Sequence, residues 1–341
     1  MTTLVTGATG FVGSHVARQL VAAGEPVRAL ARPSSRRQAL DGIAVEWVKG
    51  DLRDEASLAL ALRGVRRVYH VAADYRLWAK RPQEIYENNV TGTKNLLAGA
   101  LRARVEKFVY TSTVATIAVP RGSSLPDETN RASVDEMVGN YKKSKLIAEQ
   151  EALRAAHEGL PVVIVNPTTP VGPGDWKPTP TGRIILDFLL GRMPAYVDAG
   201  LNFVAVEDVA RGHLLAAKRG KVGERYLLGG KNLTLKELLD ALAKITGLPA
   251  PTRQIPHAVA LVAAYADAAF SRVVGREPRI PVEGVRIARH KMFANDAKAR
   301  KELGYESTPV EEALERAVRW YTENGCAKVP EPAQIARASA A

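Results

Sequence analysis

The sequence predicts an α/β protein in which a doubly wound parallel sheet is followed by a smaller C-terminal lobe. Short β-branched runs alternate with amphipathic helical stretches through the first two-thirds of the 341 residues. Such alternation is typical of right-handed βαβ units, whose parallel strands are covered by helices on both faces. A glycine-rich segment follows the first strand and opens the first helix, and after Asn166 the chain becomes rich in Pro, Gly and Thr.

Each element is predicted from its periodicity and its flanking residues. The pattern indicates strands at Leu4–Thr6, Val27–Ala31, Val45–Val48, Arg67–Val71, Lys107–Thr111 and Val162–Val165. It indicates helices at Val12–Ala23, Leu58–Leu62, Glu84–Leu101, Tyr141–His157, Leu233–Gly247 and Val310–Asn324. Thr234 precedes Glu237 by three residues, the spacing of a capping box that starts a helix. Residues 166–180 are predicted to form a loop.

These elements predict two domains. Residues 1–170 are expected to form a nucleotide-binding domain, to which residues 203–218 return. Residues 171–202 and 219–330 are assigned mainly to a substrate-binding lobe, and the Ala-rich residues 331–341 to a flexible tail. Apolar residues make up 46% of the chain and charged residues 25%, values that are typical of folded globular proteins.

Charge and cysteine content limit the partners and the compartment. The net charge of +12 favours anionic partners, among them nucleotide phosphates, an anionic membrane surface and nonspecific nucleic acid. The sequence has neither a zinc-ligand spacing nor a nucleic-acid-binding motif, so we expect no metal and no nucleic-acid partner. The single cysteine, Cys326, cannot form an internal disulfide, and the N-terminus does not resemble a secretory signal. Both observations favour the cytoplasm.

One later stretch, Ala258–Val274, is strongly apolar. It contains Asp267 and Arg272 and is shorter than the roughly 20 apolar residues of a membrane span. A core or cleft-lining helix is the favoured interpretation. A helix that lies on the membrane surface is the alternative, and it would suit a lipid-like substrate.

The strongest local motif places three glycines in the spacing of a dinucleotide-binding loop. Gly7 permits the tight turn, Gly10 lets the backbone approach a pyrophosphate, and Gly13 lets the helix pack on the strand. The N–H groups and the dipole at the helix start would then hold the phosphates. This context predicts a Rossmann-type fold with a cofactor loop that includes Gly7, Thr9, Gly10, Phe11, Val12 and Gly13.

The end of the second strand bears on the choice of cofactor. An NAD site usually places an acidic residue there, for the ribose hydroxyls. In this sequence the strand Val27–Ala31 is followed by Arg32, and no acid is present. A guanidinium suits a 2′-phosphate, so NADP(H) is favoured and NAD(H) is the alternative.

Two further strand ends are expected to contact the cofactor. Asp51, followed by Leu52, comes after the third strand and is placed to accept from the adenine amine. A turn-forming aspartate is the alternative interpretation. Ala72 and Ala73 follow the fourth strand, where small side chains would let the backbone lie against the cofactor.

A phenol and an ammonium fall on one helical face, because Tyr141 and Lys145 stand four residues apart. Free tyrosine has a pKa of about 10, and a nearby cation stabilises its phenolate. We therefore expect Lys145 to lower the pKa of Tyr141 while its other donors hold the nicotinamide ribose. Tyr141 would exchange a proton with a substrate oxygen as hydride moves to or from carbon. Thr113, just after the strand Lys107–Thr111, is placed to polarise that oxygen; ordinary surface neighbours and a turn-forming hydroxyl are the alternatives.

Further motifs occur in order along nearly the whole chain. They are TGATGFVG at Thr6–Gly13, GDLRD at Gly50–Asp54, HVAA at His70–Ala73, NNVTGT at Asn88–Thr93, YTST at Tyr110–Thr113, YKKSK at Tyr141–Lys145, NPTTPVGP at Asn166–Pro173, FVAVEDVA at Phe203–Ala210 and LGY at Leu303–Tyr305. In this order they resemble the extended short-chain dehydrogenase/reductases. The resemblance implies an acid–base role for Tyr141, with Lys145 as its partner. It also implies a catalytic hydroxyl at Thr113 rather than Ser112, and a backbone position near the nicotinamide at Pro167.

Three stretches resemble particular branches of that family. VRALAR at Val27–Arg32 resembles the dihydroflavonol 4-reductase branch, whose arginine at that position reads NADP. AADYRLWAK at Ala72–Lys80 and KPTPTGRII at Lys177–Ile185 resemble the bacterial hopanoid-associated sugar epimerase proteins. The family resemblance also implies a homodimer that pairs the helices Glu84–Leu101 and Tyr141–His157.

The substrate is expected between Tyr141 and the smaller lobe. Candidate walls would give the pocket apolar area suited to an isoprenoid or polycyclic group as well as a sugar face; they are Tyr75, Trp78, Thr168, Trp176 and Tyr196. Ordinary core aromatics are the alternative. The favoured function is an NADPH-dependent carbonyl reductase, followed by a sugar epimerase or dehydratase that keeps its cofactor. A non-catalytic NADP-sensing protein is disfavoured, because both Tyr141 and Lys145 are present.

Overall fold

The computed structural model describes residues 2–120, 124–278 and 280–328. Its strands, in chain order, are β1 Thr2–Thr6, β2 Val27–Ala31, β3 Glu46–Lys49, β4 Val65–His70, β5 Lys107–Thr111, β6 Val162–Pro167, β7 Thr169–Val171, β8 Gly200–Ala205, β9 Arg225–Leu228 and β10 Lys231–Thr234. Its α-helices are α1 Phe11–Ala22, α2 Glu55–Ala61, α3 Gln83–Tyr86, α4 Gly92–Arg102, α5 Asn140–His157, α6 Pro180–Leu189, α7 Val206–Arg219, α8 Leu235–Thr246, α9 His257–Val274, α10 Val282–Ala288, α11 Ala297–Leu303 and α12 Val310–Glu323.

Seven strands form one sheet in the order β3-β2-β1-β4-β5-β6-β9, and every neighbouring pair is parallel. The central strands are buried along most of their length, as a parallel sheet covered on both faces requires. The strand order reverses between β1 and β4, which is where ligands bind in open α/β sheets. The predicted α/β fold class and its Rossmann-type sheet are confirmed.

The first compact unit comprises the described residues within Met1–Thr168, Val206–Gly229 and Ala294–Ser307. It contains the seven-stranded sheet and the helices on its faces, with α1 packed against α7 and α4 packed against α5. Fully buried Leu4 and Phe108 lie at the centre of its apolar core. Burial of such side chains contributes roughly 1.5–3 kcal/mol each to folding, so this core holds the strand ends in place.

The second compact unit comprises the described residues within Thr169–Ala205, Gly230–Phe293 and Thr308–Ala341. Its three-stranded sheet has the order β10-β8-β7, in which β10 is antiparallel and β7 parallel to β8. Side chains from α6, α8 and α12 form its core. The predicted capping box of α8 is confirmed, because Thr234 and Glu237 exchange backbone-to-side-chain hydrogen bonds.

Two segments lie in other units than the sequence suggests. Residues 203–205 belong to β8 in the small sheet, so that α7 alone returns from the predicted segment 203–218 to the first unit. β9 and α11, which fall within the predicted lobe segment 219–330, belong to the first unit as well. The reason is tertiary pairing: β9 extends the large sheet beside β6, and α11 packs on α7 and β9.

The composition of residues 166–180 predicts a loop, but part of this segment forms strands. β6 continues to Pro167 because it pairs with β9, and the backbone N–H of Thr168 donates to Leu228. β7 then pairs with β8. Both strands are stabilised by partners that are distant in sequence, which a local Pro- and Thr-rich composition does not reveal. The predicted flexible tail, residues 331–341, lies outside the described residues.

Helix α9 departs from expectation in its orientation. Within the described part of the chain, α9 alone is long and apolar enough to cross a membrane, with a mean hydropathy of 1.3. Only 17% of this stretch is buried. Its inward face carries the small residues Ala260, Ala264 and Ser271. The expectation of a core helix is therefore wrong, because the larger apolar side chains face outward, and the cleft-lining alternative stays a prediction.

Candidate active site

The turn between β1 and α1 brings backbone segments too close together for side chains. Gly7 has a φ of +71°, and a Cβ there would lie 2.6 Å from the backbone nitrogen of Ala72. A Cβ at Gly13 would lie 2.1 Å from the carbonyl oxygen of Gly7. Only glycine fits both positions, as the predicted phosphate loop requires. Ala73 continues the chain past Ala72 with another small side chain.

Helix α1 begins at Phe11, after Gly10, which has extended backbone and no side chain to cap the helix. The N–H groups in the first turn of a helix lack intrahelical partners, and together with the helix dipole they favour an anion. Thr9, Phe11 and Val12 lie at this turn and are partly exposed. This cradle fits the pyrophosphate of a dinucleotide.

A buried histidine ties the end of β4 to the same turn. Thr6 Oγ1 lies 2.7 Å from His70 Nδ1 and accepts from the backbone N–H of Ala72 at 3.3 Å. His70 Nε2 lies 2.9 Å from Thr93 Oγ1, whose own proton is donated to the carbonyl oxygen of Asn89 at 2.6 Å. Thr93 therefore accepts from His70, so Nε2 carries the ring proton and Nδ1 accepts from Thr6. Burial lowers the pKa of His70 to about 3, which keeps the ring neutral.

Arg32 follows β2 directly and lines a cleft of about 340 Å³ with three further arginines, Arg53, Arg76 and Arg81. Arg76 and Arg81 both pair with Glu84, at 3.3 and 2.6 Å. Within the described part of the chain Arg32 has no ion-pair partner. Its exposed guanidinium is therefore available to an anion, and its predicted contact with a 2′-phosphate stays a prediction.

Asp51 forms the turn that follows β3. Its Oδ1 accepts from the backbone nitrogen and Nε of Arg53 at 2.9 and 3.0 Å, and its Oδ2 accepts from Nη2 at 2.9 Å. Arg53 lowers the pKa of Asp51 to about 2. This geometry favours the turn-forming interpretation of the aspartate. Contacts of Asp51 and Leu52 with adenine stay predictions.

Helix α5 places Tyr141 and Lys145 one turn apart, as expected from their spacing. Lys145 is buried, and its Nζ donates to Tyr110 Oη at 2.8 Å and to the carbonyl oxygen of Thr111 at 2.7 Å. The ammonium also lies 4.4 Å from the centroid of the Tyr110 ring. An ammonium has three donors, so one is left for the ribose contact that the sequence predicts.

Thr113 lies two residues beyond β5, where its Oγ1 accepts a backbone N–H and caps the short 3-10 turn Val114–Thr116. The same hydroxyl hydrogen-bonds with the phenol of Tyr141. Ser112 is buried, with its Oγ 3.5 Å from Thr116 Oγ1. The structure thus brings the predicted hydroxyl and the predicted phenol together.

The pKa values of this group follow from burial. Burial raises the pKa of Tyr141, and the hydrogen bond with Thr113 opposes that rise. Burial lowers the pKa of Lys145 to about 7, against the opposing charge of Glu149. The expectation that Lys145 lowers the pKa of Tyr141 is wrong here, because the ammonium is directed to β5 and burial dominates at the phenol. Tyr141 is therefore protonated at neutral pH, the state in which it donates a proton.

A model of the NAD dependent epimerase/dehydratase family matches residues 3–229. The chain belongs to this family. With the glycine turn, the Tyr141–Thr113 pair and the buried Lys145 in place, it is an enzyme of the extended short-chain dehydrogenase/reductase type. Members of the family act on small molecules.

Several relatives are similar over nearly their full length. A Synechocystis protein named "Putative dihydroflavonol 4-reductase" is 46% identical over 95% of both chains. "Sterol demethylase protein B" of Methylococcus capsulatus is 40% identical over 95% of this chain and 99% of its own. The "4-hydroxy-2-methyl-3-oxo-4-farnesyl-3,4-dihydroquinoline-1-oxide ketoreductase" of Stigmatella aurantiaca is 32% identical over 89% of this chain and 92% of its own. The crystal structure of gox2253 has a TM-score of 0.86 at 46% identity, covering 96% of this chain and 99% of that one.

Helix α5 also carries one partner of a largely buried ion pair, which the sequence motifs did not indicate. Glu149 is buried, and its carboxylate bonds to Arg225 Nη1 at 3.1 Å, Asn166 Nδ2 at 2.8 Å and Thr116 Oγ1 at 2.8 Å. Asn166 Nδ2 also lies 3.1 Å from the carbonyl oxygen of Thr113. The network therefore fixes the backbone that carries Thr113. The spacing in the sequence could have indicated Glu149, since it follows Tyr141 and Lys145 at four-residue intervals along the helix.

Asn89, within the NNVTGT motif, lies in a π-helical turn at Glu87–Thr91 that interrupts the predicted helix Glu84–Leu101. Its Nδ2 donates to the carbonyl oxygen of Asp74 and to Ser144 Oγ, both at 2.9 Å, and its Oδ1 accepts from Asp74 N at 2.7 Å. It links the chain after β4 to α5. Single π-helical turns inside α-helices are frequent at functional sites.

Three of the five proposed substrate-wall residues lie in the first unit. Trp78 is 40% exposed, and Tyr75 is partly exposed. Thr168 is buried, and its hydroxyl lies 3.3 Å from the carbonyl oxygen of Leu228, which leaves it a poor pocket wall. Pro167 precedes it at the end of β6. Contacts of these residues with substrate or cofactor stay predictions.

The other two proposed wall residues lie in the second unit. Trp176 is 44% exposed and packs edge-on against Trp320, with ring centroids 4.9 Å apart. Tyr196 packs against the core of that unit. Their part in substrate binding also stays a prediction.

Proposed function

We propose that this enzyme reduces a carbonyl group of a small molecule, with NADPH as the hydride donor. The observation that carries the proposal is the hydrogen bond between the Tyr141 phenol and the Thr113 hydroxyl, one helical turn from the buried Lys145. A protonated phenol and a fixed hydroxyl are the groups needed to polarise a carbonyl oxygen and protonate it.

Bound NADPH would supply the hydride. The Gly7–Gly13 turn would hold its pyrophosphate, and Arg32 its 2′-phosphate. Thr113 would orient the carbonyl oxygen of the substrate, and Tyr141 would donate its proton to that oxygen as the carbon gains hydride, so that C=O becomes CH–OH. Lys145 would hold the nicotinamide ribose through its remaining N–H donor, and the Tyr141 phenolate would regain its proton from solvent.

The preference for NADP rests on the end of β2. No acid occurs from Arg32 to Arg37. The Arg37 guanidinium lies 4.8 Å from the centroid of the Trp47 ring, so it is already packed. Arg32 is exposed in the arginine-lined cleft, where a 2′-phosphate would find a bidentate donor.

A polycyclic or isoprenoid carbonyl compound is the substrate class that we favour. Two of the relatives are named for a sterol and for a farnesyl compound, and one of them is a ketoreductase. The exposed Trp78 and the partly exposed Tyr75 offer apolar area to such a group. A sugar epimerase or dehydratase that retains its cofactor is the second candidate, supported by the membership of the family.

The proposal is tested by following NADPH absorbance with simple aldehydes, steroid ketones and farnesal. Cofactor released on denaturing the purified protein is measured in parallel. Net consumption of NADPH with formation of the alcohol supports the reductase. Tightly bound cofactor that is recycled without net consumption, together with interconversion of nucleotide sugars, would replace it with the epimerase.

We also propose a homodimer in the cytoplasm. The lone cysteine, Cys326, is exposed and free, which suits a reducing compartment. The helices implied in dimerisation, α4 and α5, pack against each other within the chain. Sedimentation velocity would give the mass of the particle.

A further inference from the structure

Helix α9 presents an apolar surface on the outside of the second unit. At about 100° per residue, one face of the helix is entirely apolar and exposed; this apolar stripe consists of Val259, Val262, Ala263, Ala266, Ala269, Phe270, Val273 and Val274. Val273 is 87% exposed and Val262 70% exposed. The buried residues of the helix are small: Ala260, Ala264 and Ser271. A surface helix usually turns its large apolar side chains inward and polar ones outward, and α9 departs from this because its large apolar side chains are exposed.

The charge around the apolar stripe is positive. Asp267 is the one acidic residue in the sequence of α9, and Arg276 Nη2 lies 2.6 Å from its Oδ1. Arg272 is exposed on α9, and Arg286 and Arg289 are exposed on α10 and directly after it. Glu277 and Glu283 lie in the same segment, so residues 257–291 carry six basic and three acidic residues, a net charge of +3. A partner that accepts this surface must therefore be apolar at its centre and negatively charged around it.

We infer that the apolar stripe docks on an anionic membrane surface. A helix with one apolar face and positively charged flanks lies in the plane of the interface, with its apolar side chains among the acyl chains and its arginines near lipid phosphates. α9 is suited to this position rather than to crossing the bilayer, because its inner face packs within the second unit and against α10. The inference goes beyond the proposed reaction, since it concerns where the enzyme is held.

A second copy of this chain is the other occupant that the apolar stripe allows. Pairing two stripes would bring two positively charged surfaces together, and such like-charge contact costs free energy. Anionic lipid headgroups remove that repulsion and add attraction. Charge complementarity therefore favours the membrane.

Co-sedimentation of the full-length enzyme with lipid vesicles tests the inference. We expect binding to vesicles of phosphatidylglycerol and phosphatidylcholine, and much weaker binding to vesicles of phosphatidylcholine alone. The triple variant Val262→Ser, Phe270→Ser, Val273→Ser should bind at least about 10-fold more weakly, because each substitution removes an apolar side chain that would be buried among the acyl chains. Thermal unfolding shows that the variant is folded, as expected for substitutions at exposed positions.

A matched control and a charge variant complete the design. The variant Leu60→Ser, Val222→Ser removes two apolar side chains in the first unit that are 55% and 51% exposed. It should bind vesicles like the wild type. Arg272→Ser with Arg289→Ser should weaken binding to the anionic vesicles alone. The inference is overturned if the wild type does not bind anionic vesicles, or if the triple variant binds like the control. It is also overturned if the triple variant turns a dimer into a monomer in sedimentation velocity.

Discussion

Lys145 Nζ donates a 2.8 Å hydrogen bond to Tyr110 Oη, and both side chains are almost completely buried. The phenol oxygen and the ring face of Tyr110, together with the carbonyl oxygen of Thr111, compensate the buried ammonium. Burial nonetheless lowers the pKa of Lys145 to about 7. A small change in this contact therefore shifts the protonation of Lys145 near physiological pH.

Tyr110→Phe should move the alkaline limb of the kcat profile to lower pH. The substitution keeps the ring and removes one acceptor of a charged hydrogen bond, worth about 1.5–3 kcal/mol or about 1–2 pH units. Lys145 loses its proton as pH rises through its pKa, so a lower pKa brings that loss to lower pH. The measurement is the pH dependence of kcat in the wild type and the variant.

Tyr226→Phe is the matched control for this change. Tyr226 is also a buried tyrosine, and its Oη lies 3.0 Å from Glu302 Oε2, away from Lys145. It should leave the alkaline limb in place. A limb that is unchanged in Tyr110→Phe, or moved equally in both variants, would show that the Tyr110 contact does not set the protonation of Lys145.

Two buried neutral histidines should make the enzyme sensitive to acid. Burial lowers the pKa of His70 to about 3 and that of His213 to about 4. An unfolded chain has histidines with a pKa of about 6.5, so below that pH the unfolded state binds more protons than the folded state. Stability should therefore fall as pH decreases from 6.5 to about 4, the folded-state value of His213.

His213→Gln tests this account. The variant should take up about one proton fewer on unfolding in that pH window, which flattens the dependence of the unfolding free energy on pH. Urea unfolding at a series of pH values gives the slope. His290→Gln removes an exposed histidine and should leave the slope unchanged; equal slopes in the two variants would be incompatible with a neutral buried His213.

Glu149→Gln should destabilise the enzyme by about 3 kcal/mol, because the largely buried Arg225 guanidinium would lose its anionic partner. The double variant Glu149→Gln, Arg225→Gln should cost less than the two single losses together, and the double-mutant cycle from urea unfolding measures this coupling. Glu311→Gln breaks the exposed pair with Lys231 and should change stability by no more than about 1 kcal/mol. Additive single losses would rule out the coupling.

Tyr141→Phe should reduce kcat by about 10²–10⁴-fold, because the phenol proton is lost while the ring is kept. The affinity for NADPH, measured by quenching of protein fluorescence, should stay within a few-fold of the wild type. Thr113→Ser retains the hydroxyl that bonds to Tyr141 and should retain most of the activity, whereas Thr113→Val should not. Full turnover in Tyr141→Phe would contradict the proposed acid–base role of Tyr141.

Sequence patterns located the sheet well, because its strands are short apolar runs bounded by turn signals. β2 and β5 begin and end at the predicted residues. The glycine turn was equally readable, since the close approach of Gly7 and Gly13 excludes any other residue. These features depend on local chemistry, which the sequence carries directly.

Features that depend on distant partners were harder to predict. Tyr110 is separated from Lys145 by 35 residues, and nothing in the strand itself shows that its hydroxyl will meet an ammonium. β7 exists because it pairs with β8. For α9, apolar composition suggested burial, but composition does not show which face of a helix turns inward.

Arg32→Asp should reverse the cofactor preference. The guanidinium lost from the cleft is the donor proposed for the 2′-phosphate, and the new carboxylate repels that phosphate while it can accept from ribose hydroxyls. We expect affinity for NADPH to fall by on the order of 10- to 100-fold and affinity for NADH to stay the same or rise. Fluorescence titration with both cofactors measures the change.

Arg104→Asp makes the same change of net charge at an exposed position outside the cleft, and the left-handed backbone there, with φ of 52°, is one that aspartate tolerates. It should weaken NADPH binding little, because the general positive field of the chain changes only slightly. Equal losses in the two variants would mean that net charge, and not the Arg32 guanidinium, favours NADPH. A loss confined to Arg32→Asp, with NADH binding preserved, would place the discrimination at the end of β2.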